Sequence, residues 1–480
     1  MSQTMGNFIM FFATAVMGIS GSLVGIAIAI SSLWDGVSDP LIGYLSDNNR
    51  NKFFGKRLGF MFFGIFAIAF LNICIWSMPS SMHEIAKFFW LLIGMLAIET
   101  ANTFFGTPYA ALAIDIAPDY NEQSKIQSFK TIFSIMGMIL PSILMYFFMP
   151  SISISIQTSH TQTGYIHIAL INSCMLIFLG LITIFSTLLY TRKNNIYRLD
   201  QKKEKFNFSQ LLFGYFDILK KKDFRAVIFG YSFATIASSF LTSVGMHLFT
   251  YCYHFSSPQI SVVLISLFGG AICSQPLWVY LSRRMDKKRA LIISLSTIVV
   301  GIFLITITFL FRDFIPTNTM FIIAIPCLIF CGIGAGAMYS LPFSMYADAV
   351  TLEMFKTGQN NAGAYTGYFT FTYNLANSVA LLAIGFLLDI IKFDSSQPVQ
   401  ALSVQNGLGM IVCFGCSICL SLAIMLFSRF SIKRADVLKV QMIKERDKKR
   451  EIEQNNPWGC DEKIINFCTF TIFVIKWVRG

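Results

Sequence analysis

Charge is what this sequence has least of. Only 13% of its 480 residues are Asp, Glu, Lys or Arg, against roughly a quarter in soluble globular chains. Stretches free of all four recur along almost the whole chain, for example Leu58–Met78, Ile166–Tyr190, Leu291–Phe311 and Gly407–Phe427. Each is long enough for a helix to cross ~30 Å of hydrocarbon, which takes about 20 residues. A soluble globular protein is excluded. Histidine is also scarce: the five are scattered, and no nucleophile–base pair or metal triad can be assembled in sequence. An enzyme is therefore not expected, and neither is a cofactor. No basic segment precedes the first apolar run, so a cleavable signal peptide is not expected either. The eleven cysteines lie mostly inside apolar stretches, where free Cys acts as a small hydrophobe. Cys413, Cys416 and Cys419 share a helix face, but no His or carboxylate joins them to make a metal site.

What charge there is has a pattern. The net charge of +12 comes from basic residues clustered in alternate loops. These are Arg50, Lys52, Lys56 and Arg57, then Arg192 through Lys222, then Arg283, Arg284, Lys287, Lys288 and Arg289. The intervening loops hold little beyond Lys87, Arg312 and Lys392. Such asymmetry places the basic loops and both termini in the cytoplasm of an inner-membrane protein. It argues against nucleic acid as a partner, and no obligate protein partner is evident.

Apolar runs predict twelve spans, at about 6–17, 22–46, 58–78, 87–113, 126–149, 165–190, 224–251, 259–281, 290–311, 319–347, 361–391 and 405–429. Residues 192–223 divide them into six-helix halves, 1–191 and 224–430. That divider is basic and interleaved with Phe206, Phe208, Leu211, Leu212, Phe213 and Phe216, as in an amphipathic stretch lying on the cytoplasmic face. Residues 431–480 form a cytoplasmic tail, whose apolar piece at 464–478 is too short to span comfortably. Gly43-Tyr44-Leu45-Ser46-Asp47 with Lys56-Arg57 is echoed by Tyr280-Leu281-Ser282-Arg283-Arg284-Met285-Asp286 with Arg289. Repeated halves with a midplane site between them are a common transporter plan. The paired motifs have two readings: a cytoplasmic latch of acid against base, or basic loops that only set orientation.

Asp35 and Asp39 lie inside the second apolar span, one turn apart on one face. Each costs on the order of 2.5–3.5 kcal/mol to insert at a helix centre. With Ser38 beside them, they suit a cation or shared proton between them, or an ion pair to a base on another helix. In the fourth span Thr103 and Thr107 repeat the i, i+4 spacing, and Pro108 frees a carbonyl in the preceding turn. These hydroxyls either extend a cation site or bond back to their own helix. Lys130, early in the fifth span, either faces a cavity or snorkels to the interface. Gly332-Ile333-Gly334-Ala335-Gly336 sits in an apolar span with no strand before it, which makes it a helix-packing surface.

Trp34-Asp35-x-x-x-Asp39-Pro40-Leu41-Ile42-Gly43-Tyr44-x-Ser46-Asp47, followed by Gly55-Lys56-Arg57, resembles the second-helix signature of the glycoside–pentoside–hexuronide:cation symporters. This is the melibiose-permease-like branch of the major facilitator superfamily. Thr107-Pro108-Tyr109-x-Ala111-Leu112 through Asp115, Pro118, Asp119 and Tyr120 resembles its fourth helix and following loop. Leu341-Pro342 through Ala347-Asp348 to Gly358 and Gly363–Gly367 resembles its tenth helix and the next loop. The resemblance implies an all-α membrane protein of twelve transmembrane helices with alternating access. The implied function is Na⁺- or H⁺-coupled symport, by default of a sugar or glycoside.

It implies cation-binding roles for Asp35, Ser38, Asp39 and Thr103. Substrate-binding roles fall to Trp34, Thr107, Tyr109, Lys130 and Asn374, and cytoplasmic-gate roles to Asp47, Lys56, Arg57, Asp286 and Arg289. The sequence departs from the pattern at the sugar-binding acid of the fourth helix, here Gly106, and at the aromatic residue four positions on, here Ala110. The fifth-helix arginine appears as Lys130 and the eleventh-helix lysine as Asn374. A symporter of a lipid or other solute with the same fold, and a non-transporting or decayed membrane sensor, are the rival readings. The first span, about a dozen residues, is short of a full crossing, and a first helix truncated by some 20 residues relative to the family is expected. For the latch, Asp47→Arg or Arg57→Asp should impair transport more than expression, and the double swap should restore part of the activity. Full activity of both single variants in uptake assays would leave these loops with orientation value only.

Overall fold

A computed structural model describes residues 2–49, 57–116, 133–149 except 135 and 138, 158–193, 217–357, 362–436 except 395, 396 and 398, and 439–443 except 441. Every regular element among them is helical. In chain order they are α1 (Ser2–Phe11), running into a π-helical turn at Phe12–Val16; α2 (Gly21–Asn48); α3 (Leu58–Trp76); α4 (Glu84–Ile116); the short α5 (Ile139–Phe148); and α6 (Thr158–Lys193). Then come α7 (Lys222–Ser239), a second π-helical turn at Phe240–Val244, α8 (Gly245–Tyr251), α9 (Ser257–Cys273), α10 (Gln275–Met285) and α11 (Lys287–Leu310). The last are α12 (Thr317–Met338), α13 (Leu341–Thr357), α14 (Ala362–Ile390) and α15 (Leu402–Ser428). Among the described residues nine helical segments are long and apolar enough to cross a membrane, or ten if the bent pair α9–α10 is one span. This is an all-α, multi-spanning membrane protein.

The chain divides into two compact units. One comprises Met1–Tyr346 with Ala362–Phe430, and the other Ala347–Asn361 with Ser431–Gly480. The first holds nearly all the described helices. In the second, the described hydrogen bonds are local, such as Thr351 Oγ1 donating to the Ala347 carbonyl at 2.9 Å.

Lipid cannot drive helices together by a hydrophobic effect, so close backbone approach and interhelical hydrogen bonds do that work. The Gly332–Gly336 run shows how. Gly332 and Gly336 lie i, i+4 and face α9, where a Cβ on Gly336 would come within 2.8 Å of the Ala271 carbonyl. Gly334 lies between them and faces α11, 2.6 Å from the Ser294 carbonyl by the same measure. One glycine ladder thus seats α12 against two neighbours. Where α9 and α10 bend by 41°, Pro276 withholds a backbone donor. Side chains stitch the break to α12: Trp278 Nε1 donates to the Ile333 carbonyl at 2.6 Å, Ser274 Oγ to the same oxygen at 3.1 Å, and Gln275 Nε2 to the Gly336 carbonyl at 2.8 Å. Nearer the N-terminus, buried Asn72 ties α3 to α6 by donating to the Ala169 carbonyl at 3.0 Å and to Ser173 at 3.1 Å.

These contacts predict opposite outcomes for two glycines. Gly332→Ala should lower the melting temperature of the purified protein, at a cost of about 1–3 kcal/mol, because the new methyl group meets the backbone of α9. Gly269→Ala opens onto free space and should leave stability level or raise it by up to ~1 kcal/mol through the helix preference of alanine.

Candidate functional site

The site is built on α2 and α4, which pack along one another. Asp35, Ser38, Asp39 and Ile42 recur at helical spacing, and the structure turns Ser38 and Ile42 fully inward, at 2% and 5% exposure. Thr103 on α4 is buried to the same degree. Ser38 Oγ lies 3.0 Å from Thr103 Oγ1, Thr103 Oγ1 lies 3.3 Å from Asp35 Oδ1, and Thr107 Oγ1 donates to Asp39 Oδ1 at 2.9 Å. Four expected cation ligands and Thr107 are therefore gathered in one cluster. Thr107, a solute residue by the family resemblance and a candidate cation-site oxygen by its spacing, gives its hydroxyl to Asp39.

A third carboxylate, which the sequence reading did not single out, stands one turn before Thr103. Glu99 lies close enough to both aspartates for the charges to interact, and Asn102 Nδ2 donates to it at 3.3 Å. The signal was present as another i, i+4 step, Glu99–Thr103–Thr107, on the same α4 face. Tyr373 of α14 also reaches electrostatic range of Asp35 and Asp39, a proximity that no local pattern reveals.

Donors are in short supply here. Thr103 has one hydroxyl hydrogen, and three acceptors compete for it: Asp35 at 3.3 Å, its own helix at the Glu99 carbonyl at 3.0 Å, and Ser38 Oγ. Ser38 in turn lies 3.2 Å from the Asp35 carbonyl. The Thr103 hydroxyl is thus shared between its own helix and the acid, whereas that of Thr107 donates to Asp39. Among the described residues no basic side chain forms an ion pair with either aspartate. Three carboxyl groups facing a few hydroxyls in low dielectric require positive charge, as a cation or as protons. Among the described residues no three His, Cys, Asp or Glu side chains converge as a metal-holding group. A cation here would draw on hydroxyl oxygens as well as carboxylates.

The other expected residues are more dispersed. Trp34 is half-exposed and donates its indole N–H to Thr100 at 2.8 Å. Tyr109 stacks on Phe105, with ring centroids 5.5 Å apart, against the Leu58, Met61 and Ile65 core. Asn374 is partly buried on α14, its carbonyl taken by Ser378. Gly106, between Thr103 and Thr107, leaves open space: a Cβ there would meet no atom within 4 Å. Of the gate residues, Arg57 precedes α3, Asp286 sits at φ 73° between α10 and α11, and Arg289 is exposed. Lys56, Lys130 and the Asp47 side chain lie outside the described residues.

Residues 1–434 match the sequence profile of the family described as MFS/sugar transport protein. The chain is 20% identical over 473 residues to the sodium-dependent lysophosphatidylcholine symporter 1 of Xenopus tropicalis, covering 92% of this chain and 87% of that one. It is 22% identical over 413 residues to the protein named putative glycoside/cation symporter YagG of Escherichia coli (strain K12), covering 84% of this chain and 82% of that one. The fold is similar to that of a D-xylose–proton symporter at a TM-score of 0.57 and 16% identity, covering 90% of this chain and 97% of the other.

The cluster predicts how its acids respond to neutralisation. Asp35→Asn and Asp39→Asn should each abolish the rise in melting temperature that Na⁺ or acid gives the parent, while stability without cation stays level or rises as repulsion is relieved. Glu99→Gln should weaken the cation effect several-fold without removing it. A loss of ~3–5 kcal/mol in both aspartate variants, the signature of a stranded buried base, with no cation effect on the parent, would overturn the cation-site assignment.

Proposed function

The chain belongs to the MFS/sugar transport protein family, and from that premise we propose that it is a symporter. It carries a small organic solute together with a monovalent cation, Na⁺ or H⁺, across the cell membrane. The cation binds at Asp35 and Asp39 with the Ser38, Thr103 and Thr107 hydroxyls, and Glu99 adds negative charge nearby. Solute binding follows from the cation by linkage: an ion that neutralises the cluster favours the conformation the solute also selects, and each ligand tightens the other. Two six-helix halves, 1–191 and 224–430, alternate around this site, joined by the basic linker 192–223. The basic loops, the 431–480 tail and both termini face the cytoplasm.

For the solute, we propose a lysophospholipid-type amphiphile over a sugar. The observation that carries this is the open space at Gly106, between the two threonines of the cation cluster. Hydroxyl-rich solutes are selected by side chains that hydrogen-bond them, and a site lacking those groups loses that discrimination. In the glycoside branch an acid stands at this position; here the cation cluster is retained while the acid is gone. The lysophosphatidylcholine symporter relatives agree with a lipid solute. The second reading, a glycoside carrier of the melibiose-permease-like branch, draws on the second-helix signature and on YagG.

Uptake into proteoliposomes of labelled lysophosphatidylcholine and of a glycoside panel, with and without a Na⁺ or H⁺ gradient, tests both. Gradient-stimulated lysophospholipid uptake, reduced by Gly106→Asp, is the expected result. Stimulated glycoside uptake with none for the lipid would overturn the solute assignment and keep the coupling site.

A further inference from the structure

α2 begins without a cap of its own: Ser20 occupies the N-cap position, and its side chain makes no capping hydrogen bond. The first free N–H groups of the helix are taken instead by a residue more than three hundred positions away. Asp389, near the end of α14, accepts the Gly21 N–H on Oδ1 at 2.7 Å and the Ser22 N–H on Oδ2 at 2.9 Å. We propose that Asp389 is the latch of a gate on the face opposite the basic loops, closed when its carboxylate caps α2 across the boundary between the two halves.

The packing beneath this contact is shaped for it. α2 and α14 run antiparallel, with Gly21 against Gly385, Gly25 against Leu382 and Gly36 against the Phe371 ring. A Cβ on Gly21 would come within 2.5 Å of the Gly385 carbonyl, so the two backbones approach as closely as glycine permits, directly under the carboxylate. Beyond Phe371 the close approach ends, and a Cβ on Gly367 would meet nothing within 4 Å. The closest backbone approach of this helix pair therefore lies at the end that carries Asp389.

A second bridge crosses the same boundary. Thr14, in the first π-helical turn, lies 2.9 Å from Nε2 of His247, which follows the second π-helical turn and is fully buried. Phe11 and Phe393 flank that imidazole edge-on at 5.0 and 5.1 Å. The loop between α1 and α2 is held within its own half, with Glu84 accepting the Ser20 N–H at 2.8 Å and Lys87 donating to the Met17 carbonyl at 2.8 Å. The start of α2 is therefore anchored within the first half, and moving α14 away from it breaks both Asp389 contacts together. A carboxylate at a helix N-terminus gains from the helix dipole and from two N–H donors at once. The contact is charge-assisted, and stronger than a neutral hydrogen bond of the same length.

The assignment rests on alternating access as set out above, but its test needs neither solute nor orientation. Ile28 is 4% exposed and lies on the α2 face that carries Gly21 and Gly25. In purified protein in detergent, the maleimide labelling rate of Ile28→Cys, corrected for labelling of the parent cysteines, reports opening of the gate. Asp389→Asn should raise that rate at least fivefold. Adding Ser20→Asp to Asp389→Asn gives α2 a cap from its own chain, and labelling should stay raised, because the bond across the boundary is still missing. Return to the parent rate in that double variant would reduce Asp389 to a helix cap with no gating role. An unchanged rate in Asp389→Asn itself would remove the latch altogether.

Discussion

Hydrocarbon solvates neither a carboxylate nor an unpaired peptide group, and the placement of the polar atoms in this protein follows from that. An acid within a span must find donors, a cation or a proton inside the bundle. Asp35 and Asp39 find the Thr103 and Thr107 hydroxyls of α4, and Glu99 the Asn102 amide, too few donors for three acids. The resulting deficit of positive charge is the ground for the proposed cation site, since a fully compensated arrangement would have no reason to take up an ion.

The same constraint explains why ordinary structural features here look like exceptions. The break between α9 and α10 would be costly in lipid, and it persists because Ser274, Gln275 and Trp278 reach carbonyls of α12. The start of α2 would leave N–H groups open, and Asp389 closes them. In both places a side chain from one segment satisfies the backbone of another, so helix ends and breaks become the points that tie segments together. A transporter needs such ties to be few and discrete: a contact of two or three hydrogen bonds can be made and broken in a cycle, whereas an extended interface cannot. Glycine ladders serve the opposite purpose. Where Gly332, Gly334 and Gly336 seat α12 between α9 and α11, the close backbone approach also lets Ser294 and Gln275 reach the Gly334 and Gly336 carbonyls, so these segments hold together as a unit.

Much of this was legible in the sequence because its causes are local. Scarcity of charge and runs of some 20 apolar residues specify spanning helices whatever surrounds them. The i, i+4 spacing of Asp35 with Asp39, and of Thr103 with Thr107, places each pair on one helix face by geometry alone. The Gly332–Gly336 run read as a packing surface and is one. What the sequence could not supply was which faces meet. Nothing local says that the α2 acids are served by α4 hydroxyls, that Glu99 belongs with them, or that Thr107 serves Asp39. Nor does spacing say that Trp34 bonds Thr100 or that Tyr109 packs into the α3–α6 core. The Asp389 latch lies furthest from view, because an acid near one helix end and an uncapped start at another are unremarkable until the fold sets them 2.7 Å apart. Helices and their polar faces are set by periodicity along the chain, whereas ion sites and gates are set by distances between helices, and those exist only once the bundle has packed.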